Sequence, residues 1–154
     1  MSMSYNLALV CAVPPESVLR RIRDVVGGEL IETGQLLVVP ELIVGASVVD
    51  DPNSRELYRE EWGIDMATSV GFGVSTKTGH ERQYAAAGLM SLAAVQLVVR
   101  LGTEAGMTFQ HERKLLHRRD GVLYLYDWWP QWAEPAVRAG LPEGYILTGD
   151  DPAV

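Results

Sequence analysis

A long apolar segment from about His80 to Leu101 constrains the fold more than any other feature of the chain. Its leucines, valines, alanines and Met90 would make a helix apolar nearly all round, and such a helix is buried on most of its sides. We therefore predict a central helix that lies across a sheet. Residues 84–99, which include Ser91 and Gln96, fall short of the about 20 apolar residues that span a bilayer.

Strand-like segments surround this helix. They are rich in β-branched and apolar residues and are bounded by turn residues, as strands usually are. They comprise residues 5–12, 36–39, 42–49, 66–75, 107–110, 114–119 and 122–126. Asp120-Gly121 between the last two predicts a type I′ hairpin turn. Gly71 and Gly73 weaken the fourth strand or mark a bulge.

Two shorter helices are also predicted. One follows Pro14-Pro15 and ends at Gly27-Gly28, and the other begins with Ser54 as its cap and ends at Gly63. The whole pattern predicts an α+β fold, with a mostly antiparallel sheet, a long central buried helix and one or two shorter helices on one face. We expect a single domain over residues 1–154, with a less regular Trp- and Pro-rich segment at 127–154.

Composition limits the class of protein. A chain of 154 residues with 47% apolar and 21% charged residues is ordinary for one globular domain. Its net charge of −7 disfavours nucleic-acid binding and favours a basic protein partner. Cys11 is the single cysteine, which excludes an internal disulfide. Because no Lys or Arg precedes Arg20, a secretory signal is not predicted, and we expect a cytoplasmic protein that does not bind membranes.

Motifs for chemistry are incomplete. Residues 71–78 suggest a phosphate-binding loop, but Thr76 stands before Lys77 where that loop requires glycine. His111 and His117 lack the four-residue spacing of a helical zinc pair. Acidic pairs such as Asp50-Asp51 are typical of solvated turns. The sequence therefore predicts no catalytic residues, no cofactor and no metal.

An aromatic cluster lies between Tyr124 and Trp132. Tryptophan and tyrosine often dominate binding surfaces, but the same rings can also cover the open end of a core. Both interpretations remain open from the sequence. The candidate partner-binding residues are Tyr126, Trp128, Trp129, Trp132, Asp50 and Asp51.

In the C-terminal half, a strand at residues 69–72 is followed by the long helix, by residues 107–112 and by residues 115–125. This order resembles the Sit immunity proteins, which are antidotes in a bacterial contact-dependent toxin exchange system, and the opening residues 3–9 are similar to the first strand of that family. The resemblance covers roughly residues 3–132, and the Trp-rich tail and residues 73–79 depart from it. It implies a small cytoplasmic protein that binds and blocks a cognate toxin without a cofactor and without catalytic residues.

Three functions therefore follow from the sequence. The first is an immunity-like protein that neutralises a toxin by protein–protein contact. The second is a small enzyme or ligand-binding domain with a pocket beside the long helix, where His80, His111 or His117 meets a carboxylate. The third is a homo-oligomeric structural protein, with the Trp-rich segment buried in a homodimer interface.

Overall fold

The computed structural model describes residues 2–31 and 36–149. In chain order, the elements are β1 (Ser2–Leu9), α1 (Pro15–Val26), β2 (Glu29–Ile31), β3 (Leu36–Val39), β4 (Leu42–Val48), α2 (Pro52–Trp62), β5 (Thr68–Ser75), α3 (His80–Leu101), β6 (Ala105–Phe109), β7 (Arg113–Arg119), β8 (Val122–Tyr126), a 3-10 turn (Pro130–Ala133), α4 (Pro135–Arg138) and β9 (Ile146–Thr148).

The strands of the described residues form one sheet in the order β2-β3-β4-β5-β1-β6-β7-β8-β9. All neighbouring pairs are antiparallel except β8 and β9, which are parallel. β1 lies near the middle, where Tyr5 is in register with Phe72 of β5 and Phe109 of β6. The predicted α+β class and the mostly antiparallel sheet are therefore confirmed.

The two faces of the sheet are covered differently. On β1, Tyr5, Leu7 and Leu9 belong to the main core and define the first face of the sheet, which packs against α1 and α3. Asn6 and Ala8 alternate with them and define the second face. α3 contacts both α1 and α4 on the first face, so α1 lies on the same face as the long helix, as predicted. α2 lies on the second face, where Trp62 packs with Ala8 in a separate apolar cluster, and the sequence analysis did not anticipate this position.

α3 is the central buried helix that the sequence predicts. Nine of its side chains are buried, namely Ala86, Ala87, Met90, Ser91, Ala93, Ala94, Val95, Leu97 and Val98. By length and composition alone the helix could cross a membrane, because it runs from His80 to Leu101 rather than only over residues 84–99. More than half of its most apolar window is nevertheless buried within the protein, as in the core helix of a globular fold.

The predicted hairpin turn is confirmed, whereas the predicted N-cap of α2 is wrong. Asp120 and Gly121 have φ angles of 53° and 78°, so the predicted type I′ turn is confirmed. Asp51, rather than Ser54, is the N-cap of α2, since its carboxylate accepts a hydrogen bond from the Asn53 backbone N–H.

The strand pairing does not contain the bulge that the sequence suggests in β5. β5 pairs without a break along both neighbours, so Gly71 and Gly73 mark no bulge there. The irregular register lies instead between Met107 and Thr108 of β6. The C-terminal segment contains the 3-10 turn, α4 and β9, while residues 150–154 of the predicted segment and of the predicted domain lie outside the described residues.

Candidate partner-binding surfaces

The Trp-rich segment is mostly core. Trp132 is 1% exposed and Trp129 is 8% exposed, and Tyr126 is also buried. The Trp132 Nε1–H donates to the Leu115 carbonyl at 3.1 Å, and the Trp129 Nε1–H donates to Ser91 Oγ at 2.9 Å. Buried indoles with satisfied N–H groups stabilise the packing of the C-terminal segment against α3 and β7. Of the two interpretations of this cluster, burial in the core accounts for these three rings.

Trp128 is different, because its ring is only half-buried. Its Nε1–H donates to the Lys114 carbonyl, and the Arg113 guanidinium carbon lies 3.8 Å from the centroid of the ring. A partner could therefore reach Trp128 without disturbing the core, whereas it could not reach Trp132 in this way. Partner binding through any of these residues stays a prediction.

Asp50 and Asp51 are exposed at the beginning of the most acidic segment of the chain. Asp51 accepts a hydrogen bond from Ser54 Oγ at 2.9 Å, and this bond is the main cause of the lowered pKa of Asp51. Between residues 50 and 65 there are six acidic and two basic residues, a net charge of −4 out of −7 for the chain. Residues 50–65, which comprise α2 and the turns that flank it, therefore carry much of the negative charge of the protein.

The two arginines of α2 lie together on one flank of the helix. Arg55 and Arg59 each contact Asp65 Oδ1, at 2.8 and 3.0 Å. With 100° of rotation per residue, Leu57 and Glu61 fall on the opposite flank. Leu57 is 63% exposed, which is unusual for a leucine beside several charged side chains. That flank is therefore acidic and also presents an apolar side chain to solvent.

Trp62 attaches α2 to the sheet. Its ring is 3% exposed and lies over Gly106 of β6, where an added Cβ would be only 2.8 Å from the ring atoms. Its centroid is 4.9 Å from that of His117, in an edge-on arrangement, and 4.7 Å from Lys114 Nζ. Burial and the nearby Lys114 and Arg119 charges lower the pKa of His117. Trp62 thus holds α2 against the sheet through an aromatic contact that only a glycine beneath it permits.

Beside α2, the second face of the sheet forms an open groove of about 1100 Å³. Gly45, Gly71 and Gly73 form its floor, and Asn6 lies at the border with α2. There Asn6 Nδ2 donates to the Tyr58 hydroxyl at 2.6 Å. We call this feature the second-face groove. It lies on the face opposite α3, so this groove is not the pocket beside the long helix that the sequence suggests.

Two of the three floor glycines, Gly71 and Gly73, are not explained by the packing of the chain. A Cβ added to Gly71 would meet no atom within 4 Å, and one added to Gly73 would meet Ser2 Oγ at 3.8 Å. Neither glycine has a left-handed φ angle. Glycine within a strand costs about 0.5–1 kcal/mol relative to alanine. Within the described residues, the fold therefore gains nothing from glycine at these two positions.

The walls of the second-face groove are apolar, and its end is charged. Ile43 of β4 is 52% exposed, and the half-buried Val38 of β3 lies in register beside it. Glu41, Lys77 and His111 line the end away from α2, next to Ser75 and Gln110. The groove thus combines exposed apolar side chains with charged side chains of both signs at the end that is distant from α2.

The three histidines occupy different environments. Among them, His111 is the one that lines the second-face groove, whereas His117 lies beneath Trp62 and His80 stacks on Tyr84 with centroids 6.1 Å apart. In the part of the chain that the structure describes, no group of three or more His, Cys, Asp or Glu side chains could hold a metal ion.

Neither the groove nor its glycine floor is predicted from the sequence. There, Gly71 and Gly73 indicate only a weakened strand or bulge and part of an incomplete phosphate-binding loop. Their two-residue spacing places them on one face, which was a usable signal. Gly45 joins them only through the register of β4 with β5, in which it lies opposite Gly71.

Comparison with known proteins identifies the family. A family model described as SitI3-like matches residues 3–136, which is most of the chain. The protein belongs to the SitI3-like family, and the resemblance to Sit-type immunity proteins is confirmed. No curated protein and no solved structure matches the chain.

Proposed function

We propose that this protein is an immunity protein that binds a cognate bacterial toxin and neutralises it by protein–protein contact. The observation that carries the proposal is the SitI3-like family match over residues 3–136. We further propose that it acts in the cytoplasm of the cell that makes it, without a cofactor and without catalysis. The family supports an immunity role in general, and the mode of action is our inference.

The surface charge supports a basic partner. Opposite charges on two proteins accelerate their encounter and penalise partners of the wrong sign. Residues 50–65 concentrate four of the seven net negative charges, so the attraction would act mainly on α2 and its surroundings. Binding at such a surface would block a toxin sterically, either at its active site or at its site of contact with a target.

Co-expression in a bacterial host tests the proposal. A candidate toxin gene, sought beside the gene for this chain, is induced with and without the protein, and growth is followed. We expect the protein to restore growth, and we expect the two purified proteins to migrate together in size-exclusion chromatography. An unrelated toxin serves as the control and should remain lethal. If the protein is folded and abundant but restores no growth, the proposed function is wrong.

A further inference from the structure

We propose that the second-face groove and the exposed side of α2 that carries Glu60 and Glu61 together bind an extended, basic segment of the partner polypeptide. This inference rests on the proposed function, to which it adds the binding site and the chemistry of the partner. It joins two surfaces that meet at the hydrogen bond between Asn6 and Tyr58.

The groove supplies the first part of the argument. Its floor exposes strand backbone at Gly71 and Gly73, and the fold itself does not require glycine at either position. Glycine in a strand often marks a place where another backbone approaches closely. The exposed Ile43 at the wall offers apolar contact to the same occupant. A polypeptide segment that lies flat over Gly71 and Gly73 would bury the exposed floor and wall of the groove. Its binding would explain why the strand contains glycines that lower the stability of the fold.

Charge identifies the kind of occupant. At one end of the groove lies α2, whose Glu60 and Glu61 are exposed and whose arginines are occupied by Asp65. At the other end lie Lys77, His111 and Glu41, and the Glu41 carboxylate is paired with Arg82 at 3.5 Å. A phosphate backbone would be repelled by the acidic end, whereas lysines or arginines of a polypeptide would be attracted to it. The occupant is therefore a polypeptide whose positive residues lie at the α2 end.

Substitution of the glycines separates binding from folding. Gly71→Val and Gly73→Val would fill the floor of the groove. Because a Cβ at Gly71 meets open space and one at Gly73 meets only ordinary van der Waals contacts, and because valine favours strands, both variants should be at least as stable as the wild type. Gly149→Val is the matched control, since an added Cβ at Gly149 also meets no atom within 4 Å and the residue does not line the groove.

Charge reversal provides an independent pair of variants. Glu60→Lys changes the exposed side of α2. Asp24→Lys makes the same charge change on α1, on the opposite face of the sheet, where Asp24 is also exposed. If the acidic side chains of α2 attract the partner, Glu60→Lys should weaken binding and Asp24→Lys should leave it unchanged.

The direct test uses a synthetic peptide of alternating valine and lysine, titrated into the full chain and followed by amide chemical shifts. A valine–glutamate peptide of equal length is the negative control. We expect the cationic peptide to shift the amides of Gly45, Gly71 and Gly73. We expect its affinity to fall at least tenfold in Gly71→Val and in Glu60→Lys, and to remain unchanged in Gly149→Val and Asp24→Lys. Shifts confined to another surface, or equal binding of both peptides, would overturn the inference.

The growth assay distinguishes the two proposals from each other. If the wild type protects cells and Gly71→Val, present at equal amount, protects equally well, the binding site is wrong while the immunity function stands. If the cationic peptide binds the groove but the wild type does not protect, the immunity function fails and the surface assignment stands. Loss of protection in Gly71→Val, with an unchanged or raised melting temperature, supports both.

Discussion

The attachment of α2 gives the sharpest prediction on stability. Trp62 is almost fully buried between α2 and Gly106, and a Cβ at Gly106 would lie 2.8 Å from the ring. Gly106→Ala therefore forces the indole away from the sheet. Overpacking of this kind costs about 1–3 kcal/mol. Trp62→Ala removes about 200 Å² of buried surface, which at about 25 cal/mol per Å² corresponds to about 5 kcal/mol as an upper value.

The double variant tests the cause of both effects. In Trp62→Ala the ring is absent, so the added methyl of Gly106→Ala has nothing to displace. We therefore expect the double variant to be less destabilised than the sum of the two single variants, by at least about 1 kcal/mol. Gly149→Ala is the control substitution and should add independently of Trp62→Ala.

Urea unfolding followed by circular dichroism measures the free energies, provided that the slope of the transition is the same in all variants. Additivity within about 0.5 kcal/mol would refute the close contact between the indole and Gly106. A large change in slope for Trp62→Ala would instead indicate that α2 unfolds separately from the sheet.

Three further predictions follow from the structure. The pKa of His117 is lowered in the folded state, so the unfolded state binds the proton more readily. The stability that neutral His117 contributes is therefore present above its unfolded pKa of 6.5 and is lost as the pH falls through the folded pKa. Urea unfolding at a series of pH values from about 7.5 to about 5.5 should show a smaller loss of free energy of unfolding in His117→Asn than in the wild type. Trp132→Ala should destabilise by about 3–5 kcal/mol, whereas Trp128→Ala should cost clearly less, and equal unfolding midpoints would show that our assignment of core and surface is wrong. Asp51→Ala should lower the thermal midpoint because it removes the N-cap of α2, whereas Asp51→Asn should retain most of the stability that the cap provides. An unchanged midpoint in Asp51→Ala would exclude the capping role.

The sequence predicted features that depend on neighbouring residues. α3 follows from one continuous apolar segment, and the hairpin follows from Asp120-Gly121, whose two positive φ angles only a few residue types accept readily. These signals are local, because they arise from helix periodicity and from backbone sterics.

The candidate site depends instead on residues far apart in the chain. Gly45 faces Gly71 only because of the register between β4 and β5, and no local pattern fixes that register. α2 lies on the second face because Trp62 finds a glycine on β6, far along the chain. Composition also could not separate the buried Trp132 from the half-buried Trp128, since the two residues lie in one dense aromatic run.

The central position of β1 has a consequence for synthesis on the ribosome. β1 leaves the ribosome before both of its partners, yet Leu7 must pair with Val70 of β5 and Met107 of β6. Pairings between residues so distant in sequence form slowly, and unpaired apolar strands are prone to aggregation. The growing chain therefore carries an unpaired apolar strand until β6 has emerged, and we expect fragments that end before residue 105 to bind chaperones rather than fold.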